Sequence, residues 1–416
     1  MTQHYDAIIV GASIAGSCAA IGLARRGARV ALLERRGDPD AYKTICGHFL
    51  QSSSRPALER LGVLSALHRA GAVDSTIDIH TPWGWIRSTE DQVPALNLRR
   101  SVLDPLLRRT AAETPGVDLM LGETVDRVRL DEGRGTGVEC VDRAGRRRRL
   151  RAALVVAADG RGSRVAELAN VPARTIDNAR FAYYAYFSGI ATRPGGARAW
   201  YLDPDVAFEF PTDNGLTMLA CMPERDWLPE FKRDLGTAFS RFFAGLPDAP
   251  ATRTATRETP IFGKLEMQTI SRPAAARGIA FVGDAALAAD PLPGVGCGWA
   301  VQSAEWLADC VGEALLEGRG LERSLRRYRR RHRAALHGHE QLITSYSSGR
   351  AFNPLERLLF SAAVHDAKTA AHLEAFGSRR IRVRQFLAPR PVARAARVRL
   401  RAAARTPGDH VLQPTG

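Results

Sequence analysis

Lysine is nearly missing from this chain of 416 residues: of its 59 basic residues, only Lys43, Lys232, Lys264 and Lys368 are lysines. Also missing is any unbroken apolar run of the roughly 20 residues that a membrane helix needs. No integral membrane segment is therefore expected. The six cysteines (Cys18, Cys46, Cys140, Cys221, Cys297, Cys310) are scattered and show neither metal-ligand spacing nor a secreted disulfide framework. Reduced thiols and no metal follow as expectations. The opening MTQHYDAIIVGA runs straight into a strand-like segment without the basic flank and cleavage site of a signal peptide, so a cytoplasmic location is expected. No internal repeat is visible.

What is present is arginine, and with it a net charge of +15. Spread over a solvated surface, this charge does not imply a nucleic-acid partner, but its field can draw in an anionic reductant. Arg146 to Arg149 follow an Ala144-Gly145 turn and read as an exposed hairpin. The 45% hydrophobic content over this length allows two or more cores.

The first 36 residues form one unit. Asp6 to Val10 (DAIIV) reads as a buried strand, Ser13 to Arg25 has apolar residues at helical spacing, and Arg29 to Glu34 (RVALLE) reads as a second strand. Between the first strand and the helix lies Gly11-Ala12-Ser13-Ile14-Ala15-Gly16. Gly11 permits a tight turn, Ser13 is small enough for close approach of a pyrophosphate, and Gly16 lets helix and strand pack. Glu34 ends the second strand where an acid can take both ribose hydroxyls. A dinucleotide site follows.

Two later segments narrow the ligand. LVVAADGRGSRV is a buried strand entering Asp159-Gly160, and GIAFVGDAALAADPLPGVGCGWA is another that ends in Gly283-Asp284, with Pro291, Gly294, Gly296 and Gly298 beyond. With these motifs in order, the chain from about residue 5 to residue 335 resembles the flavoprotein monooxygenases of the para-hydroxybenzoate hydroxylase type, and more broadly their halogenase and geranylgeranyl reductase relatives. The resemblance implies FAD as cofactor. Asp284 is then expected at the sugar hydroxyls, and Pro291 with Gly294, Val295, Gly296, Cys297 and Gly298 beside the flavin ring. Arg100 is expected to reach the cofactor, Asp159 to contact flavin or reductant, and Arg35 and Lys43 are weaker candidates. Leu287 and Gly298 stand where the family often has His and Asn, so those side-chain roles are absent or moved. The implied chemistry is oxygen transfer through a flavin C4a-hydroperoxide with O2, and NAD(P)H as a transient reductant or a separate flavin reductase as the supply. No second dinucleotide fingerprint occurs: GRGTGVE at Gly133 reads as a turn.

The fold expected is α/β: a Rossmann-like FAD-binding domain of the glutathione reductase type in three layers (1–75, 96–171 and 266–335), an antiparallel β-sheet substrate domain (76–95 and 172–265), and C-terminal helices with a basic, solvated tail (336–416). In the strand FAYYAYFSGI, Tyr184 and Tyr186 share one face and Tyr183 and Phe187 the other. Tyr184, Tyr186, Phe208, Phe210 and Met218 are the candidate substrate wall. An apolar or aromatic substrate follows, such as a polyketide or terpenoid intermediate, free or carrier-bound, that is hydroxylated or epoxidised. Arg180 and Arg198 are the candidates to neutralise a carboxylate. Trp83-Gly84-Trp85-Ile86 resembles the halogenase tryptophan motif, but Arg87 replaces its proline and no lysine occurs between Lys43 and Lys232. Lys43-Thr44-Ile45-Cys46-Gly47 is similar to the cysteine loop of the isoprenoid reductases, which keeps ene-reduction as the alternative. Cys46 and His48 read as a buried filler and a satisfied loop histidine. A non-catalytic FAD-binding sensor would keep the same motifs.

Overall fold

The computed structural model describes residues 2–405, apart from 47, 90–91, 193–195 and 293. Its first sheet grows from the apolar strand Thr2–Val10, which pairs in parallel with Arg147–Ala157 on one side and Val30–Glu34 on the other. Ile279–Phe281 and Val117–Leu121 extend it at the two sides, again in parallel. A hairpin of Thr124–Asp131 and Arg134–Val141 lies antiparallel on the first half of Arg147–Ala157. Arg146 to Arg149 are exposed there, with Arg147 on Asp126 and Arg148 on Glu123.

The helix Ile14–Ala24 is buried along its whole length. That fits its composition, because Ala, Gly, Ser and Cys let the neighbouring helices Arg100–Glu113 and Val295–Leu316 come close on opposite sides. Residues 7–10, 30–33, 154–157 and 279–281 of the parallel strands are buried and read as continuous apolar runs rather than alternating ones. The α/β class and the nucleotide-binding sheet are as expected.

The second sheet runs in the order Thr256–Arg257, Ala182–Ser188, Thr217–Met222, Val206–Pro211, Gly196–Tyr201, Val73–Thr81, Ala95–Asn97, Phe49–Leu50. It is antiparallel except at one step, where Gly196–Tyr201 lies parallel to Val73–Thr81. Parallel neighbours need a long crossover. Here the chain between the two strands includes four strands of the nucleotide sheet, Val117–Leu121, Thr124–Asp131, Arg134–Val141 and Arg147–Ala157. The segment 1–75 therefore contributes to both sheets, through Phe49–Leu50 and Val73 onward.

Alternation along these strands splits the aromatics between two cores. Tyr184, Tyr186, Phe208, Phe210, Met218 and Met222 face one way. Phe181, Ala185, Phe187, Leu219 and Cys221 face the other, against Phe239, Phe242 and Phe243 of the helix Leu235–Ala244.

The helix Leu321–Ser347 runs across the expected boundary at residue 335. Beyond it, the chain is not the solvated tail expected. Pro389–Arg405 is a helix whose Ala395 is fully buried beside Leu359, Ala370 and Phe386, and Arg394 makes a bidentate pair with Asp366 at 2.7 and 2.6 Å. The Ala-rich face escapes a pattern search because alanine contributes little apolar contrast. The remainder of the tail, 406–416, lies outside the described residues. Among the described residues no helix is long and apolar enough to cross a membrane.

Candidate functional site

The carboxyl ends of three parallel strands, at Val10, Glu34 and Ala158, open into one cavity of about 760 Å³. Ligands bind at this edge of open α/β sheets. The three motifs meet here. From the first, Gly11, Ser13, Ile14, Ala15, Glu34 and Arg35 line the cavity; from the second, Asp159; from the third, Asp284, Pro291, Gly294, Gly296 and Cys297. Lys43 and Arg100 join them.

Gly16, Gly283 and Gly298 do not line the cavity; they shape its wall from behind. A Cβ on Gly16 would sit 1.7 Å from the Gly11 carbonyl oxygen, and one on Gly283, at φ +56°, 2.8 Å from Ala15 Cβ. Gly298 was expected beside the flavin ring, but its Cβ position faces Gln51 and Ser54 at ordinary contact distance. Val295 is buried in the first turn of its helix.

Glu34 takes the backbone N–H groups of Ala12 and Arg36, each at 3.0 Å, which fixes its carboxylate at the strand end. Arg100 is buried and makes a bidentate pair with Asp104 at 2.7 and 2.8 Å, while also donating to Ser13 Oγ at 2.8 Å. Asp104 accepts the Lys43 backbone N–H at 3.0 Å as well. Asp104 and Arg108 were not foreseen. Arg108 donates to the carbonyls of Ala12, Pro39 and Ala41 and so holds the 39–41 loop over the site. The only sequence signal for Asp104 is its i+4 spacing from Arg100 on one helix face.

Lys43 Nζ donates to Asp284 Oδ2 at 2.8 Å. Burial alone would raise the Asp284 carboxyl, but the ammonium outweighs it and holds the group below its ordinary range. The Asp284 carboxylate in turn raises Lys43, whose side chain stays half exposed. Burial raises Asp159, against hydrogen bonds from Ser163 and the Val165 N–H. Its Oδ1 is buried with no partner.

At the far end the cavity is apolar. Tyr184, Phe208, Phe210, Met218, Met222 and Leu292 form its wall. Tyr186, expected there, lies behind it, with its hydroxyl 3.1 Å from His48 Nδ1. His48 lines the cavity, and burial lowers it to about 4, so the ring is neutral. It is not the satisfied histidine expected, because its buried Nε2 has no partner. Nor is Cys46 a filler: its sulfur lies 3.5 Å from that of Cys297.

Arg180 and Arg198 do not reach the cavity. Arg180 is fully buried against Asp290 at 3.0 Å, and Arg198 is paired with Glu209 at 3.0 and 2.5 Å. Both are neutralised internally, so neither is available for a substrate carboxylate. Trp83 and Trp85 are also outside it, packed on Phe352 and Trp200.

The residues fit a dinucleotide. Ser13, the N-cap of the helix Ile14–Ala24, makes no side-chain cap hydrogen bond, which leaves the first-turn N–H groups for a pyrophosphate. The orphaned Asp159 oxygen lacks a donor. A Cβ on Gly296 would meet nothing within 4 Å, so the backbone there is open to a flat ring.

Residues 4–342 match the FAD binding domain family. Among curated proteins, the probable electron transfer flavoprotein-quinone oxidoreductase YgcN of Escherichia coli K12 is 33% identical over 169 residues, 40% of this chain and 38% of that protein. Digeranylgeranylglycerophospholipid reductase 1 of Methanococcoides burtonii is 25% identical over 360 residues, 80% of this chain and 81% of that one. Among solved structures, the flavin-dependent brominase Bmp2 has a TM-score of 0.77 at 16% identity, covering 97% of this chain and 99% of that one. The p-nitrophenol 4-monooxygenase PnpA of Pseudomonas putida has 0.73 at 20% identity, covering 91% and 98%. At such identities the two structures establish the fold.

Proposed function

The chain belongs to the FAD binding domain family, and we propose that it is an FAD-dependent monooxygenase that hydroxylates or epoxidises an apolar or aromatic small molecule. In the reaction one atom of O2 enters the substrate, the other leaves as water, and NAD(P)H supplies two electrons. The observation that carries this reading is the continuity of the cavity. Its polar end holds Glu34, Asp159, Lys43 and Asp284, and its other end is walled by Tyr184, Phe208, Phe210 and Met218 without a paired charge.

When bound, FAD supplies the redox chemistry with oxygen, and the protein supplies position and dryness. The positive end of the helix Val295–Leu316, beginning after Gly294, faces the cavity and favours negative charge there. The aromatic and methionine wall excludes water from the apolar end. Tyr184 donates its hydroxyl to the Thr44 carbonyl, which ties the wall to the Lys43–Cys46 loop. His48 adds a neutral ring to the cavity lining, with a buried Nε2 that has no partner.

Ene-reduction is the second reading. It draws on the archaeal digeranylgeranylglycerophospholipid reductase, which matches over most of its length, and on Cys46 in the cavity wall. The reactions separate under labelled oxygen. Purified protein with FAD, NADPH and a panel of apolar aromatics and polyenes is expected to give products that carry the label. A saturated, unlabelled product would establish the reductase instead, and NADPH oxidation unaffected by any compound would favour a sensor.

A further inference from the structure

Cys46 and Cys297 are 251 positions apart in the chain, yet their sulfurs touch at 3.5 Å. Cys46 lies outside any helix or strand, ahead of the strand Phe49–Leu50, and Cys297 is in the first turn of the helix Val295–Leu316. Both line the cavity. We propose that Cys46 and Cys297 form a reversible dithiol–disulfide couple in the cavity wall, with Cys46 as the attacking thiolate, Cys297 as the resolving thiol and hydrogen peroxide as the oxidant.

Four features of the site support the division of roles. The contact from the Cys297 thiol, with Arg100 and Lys43 nearby, outweighs burial and holds Cys46 well below the ordinary thiol range. The His48 backbone N–H points at the Cys46 sulfur at 3.4 Å, a donor suited to an anion. Cys297 is pushed the opposite way by its hydrogen bond to Cys46 and by burial, so it keeps its proton until it attacks. Finally, no regular element holds Cys46, whereas a helix fixes Cys297. A disulfide bond is about 2.05 Å long, so closing the contact takes a movement of roughly 1.5 Å, which the loop can make by rotating the Cys46 side chain.

The remaining cysteines have no place in this contact. Cys18, Cys140, Cys221 and Cys310 are buried outside the cavity, and burial pushes Cys18 and Cys140 up to about 12 and Cys221 up as well. Thiolate character and access govern thiol oxidation. The fold thus separates one pair in the cavity wall from four thiols buried outside it.

The chemistry balances in two steps. The Cys46 sulfur attacks one peroxide oxygen and the O–O bond breaks; the other oxygen leaves as hydroxide and is protonated to water, leaving a sulfenic acid. The Cys297 sulfur then attacks the sulfenic sulfur and gives up its proton, and the hydroxyl departs as a second water as the S–S bond forms. Overall, two thiols and one hydrogen peroxide give one disulfide and two waters, and a dithiol reductant reverses the change. The source of peroxide rests on the oxygen chemistry proposed above: FAD held in this cavity would supply it whenever its reduced form met O2 without oxygen transfer. The couple itself does not rest on that reading.

Full-length protein, reduced, desalted and exposed to equimolar hydrogen peroxide, is to be alkylated and mapped by mass spectrometry without reducing agent. No turnover is needed, so a failure here is distinct from a failure of the oxygenase assignment. The expected result is a peptide pair linked through Cys46 and Cys297, two of the six thiols lost, and both recovered with dithiothreitol. C297S is expected to accumulate a dimedone-reactive sulfenic acid at Cys46, and C46S to keep all its remaining thiols. Alkylation of Cys46 and Cys297 undiminished by peroxide in the wild-type protein overturns the proposal, whatever the variants do. So does a disulfide that joins either residue to another partner.

Discussion

Gly16 and Gly298 look equivalent as small residues in flavin motifs, but they stand in different surroundings. A side chain at Gly16 would collide with the Gly11 carbonyl, where the first strand turns into its helix, and neither backbone segment can yield without moving the other. At Gly298, inside a helix, an added methyl meets Gln51 and Ser54 at 3.7 and 3.8 Å. Gly16→Ala is therefore expected to cost about 1–3 kcal/mol or more and to lower FAD occupancy. Gly298→Ala is expected to be neutral or to gain up to about 1 kcal/mol from helix propensity. Urea unfolding together with the flavin absorbance of the purified proteins checks both, and equal losses in the two variants would contradict the packing argument. The role of Gly16 was legible because a strand, a turn and a helix in succession demand a close approach there. That of Gly298 was not, since motif position does not say which face of the helix a residue takes. The same limit hid the Cys46–Cys297 contact: each cysteine lay in a recognised segment, but nothing local records that two segments 251 residues apart meet sulfur to sulfur.

Among the elements, the join between the two sheets is the part that sequence could not foresee. Asn178 and Arg180 precede the strand Ala182–Ser188, while Asp290 belongs to the loop that leads to Pro291 and Gly294. The Asp290 carboxylate accepts from Asn178 Nδ2 at 2.6 Å, from Arg180 at 3.0 Å and from the Leu292 backbone N–H at 2.7 Å. Arg180 also lies over the Tyr346 ring at 4.9 Å and donates to the Pro204 carbonyl. One fully buried pair thus ties the substrate sheet, the ring-side loop and the helix Leu321–Ser347. Alone in sequence, Arg180 read as a possible anion receptor, because its neutralising partner lies 110 positions away. Asp290→Ala leaves a buried guanidinium uncompensated and is expected to cost about 3–5 kcal/mol. Arg180→Met combined with Asp290→Leu should cost much less than the sum of the two single changes. A double-mutant cycle by urea unfolding measures that coupling, and additive losses would mean that the pair contributes no link between the sheets.

Across the whole molecule, the C-terminal helices close over the nucleotide-binding half, and they do so with buried histidine. His332 and His339 sit on the helix Leu321–Ser347, where burial, helped by the nearby Arg379 guanidinium, lowers each to about 4. Arg379 itself reaches back to Gln51 and Ser53, and Gln51 donates to the Gly377 carbonyl, so the end of the chain is fastened to the cavity's supporting loop. Arg379 belongs to the basic, Ala-rich segment that reads as a solvated tail, because its partners Gln51 and Ser53 lie 328 and 326 positions away. The burial of His332 and His339 has a measurable pH signature. The unfolded chain takes up protons on these rings near pH 6.5, whereas the folded chain refuses them until about pH 4. Stability therefore falls as pH drops through that window, by about 2 kcal/mol per histidine between pH 7 and pH 5. His48 in the cavity wall adds to the same trend. His332→Phe keeps a ring of similar size against Trp306 and Tyr328 while removing its titration. The difference between unfolding free energies at pH 7 and pH 5 is then expected to shrink by about 2 kcal/mol relative to the parent protein. Every other titrating group is common to both proteins and cancels from that comparison, so an unchanged difference would show that His332 takes up its proton in the folded state as readily as in the unfolded one.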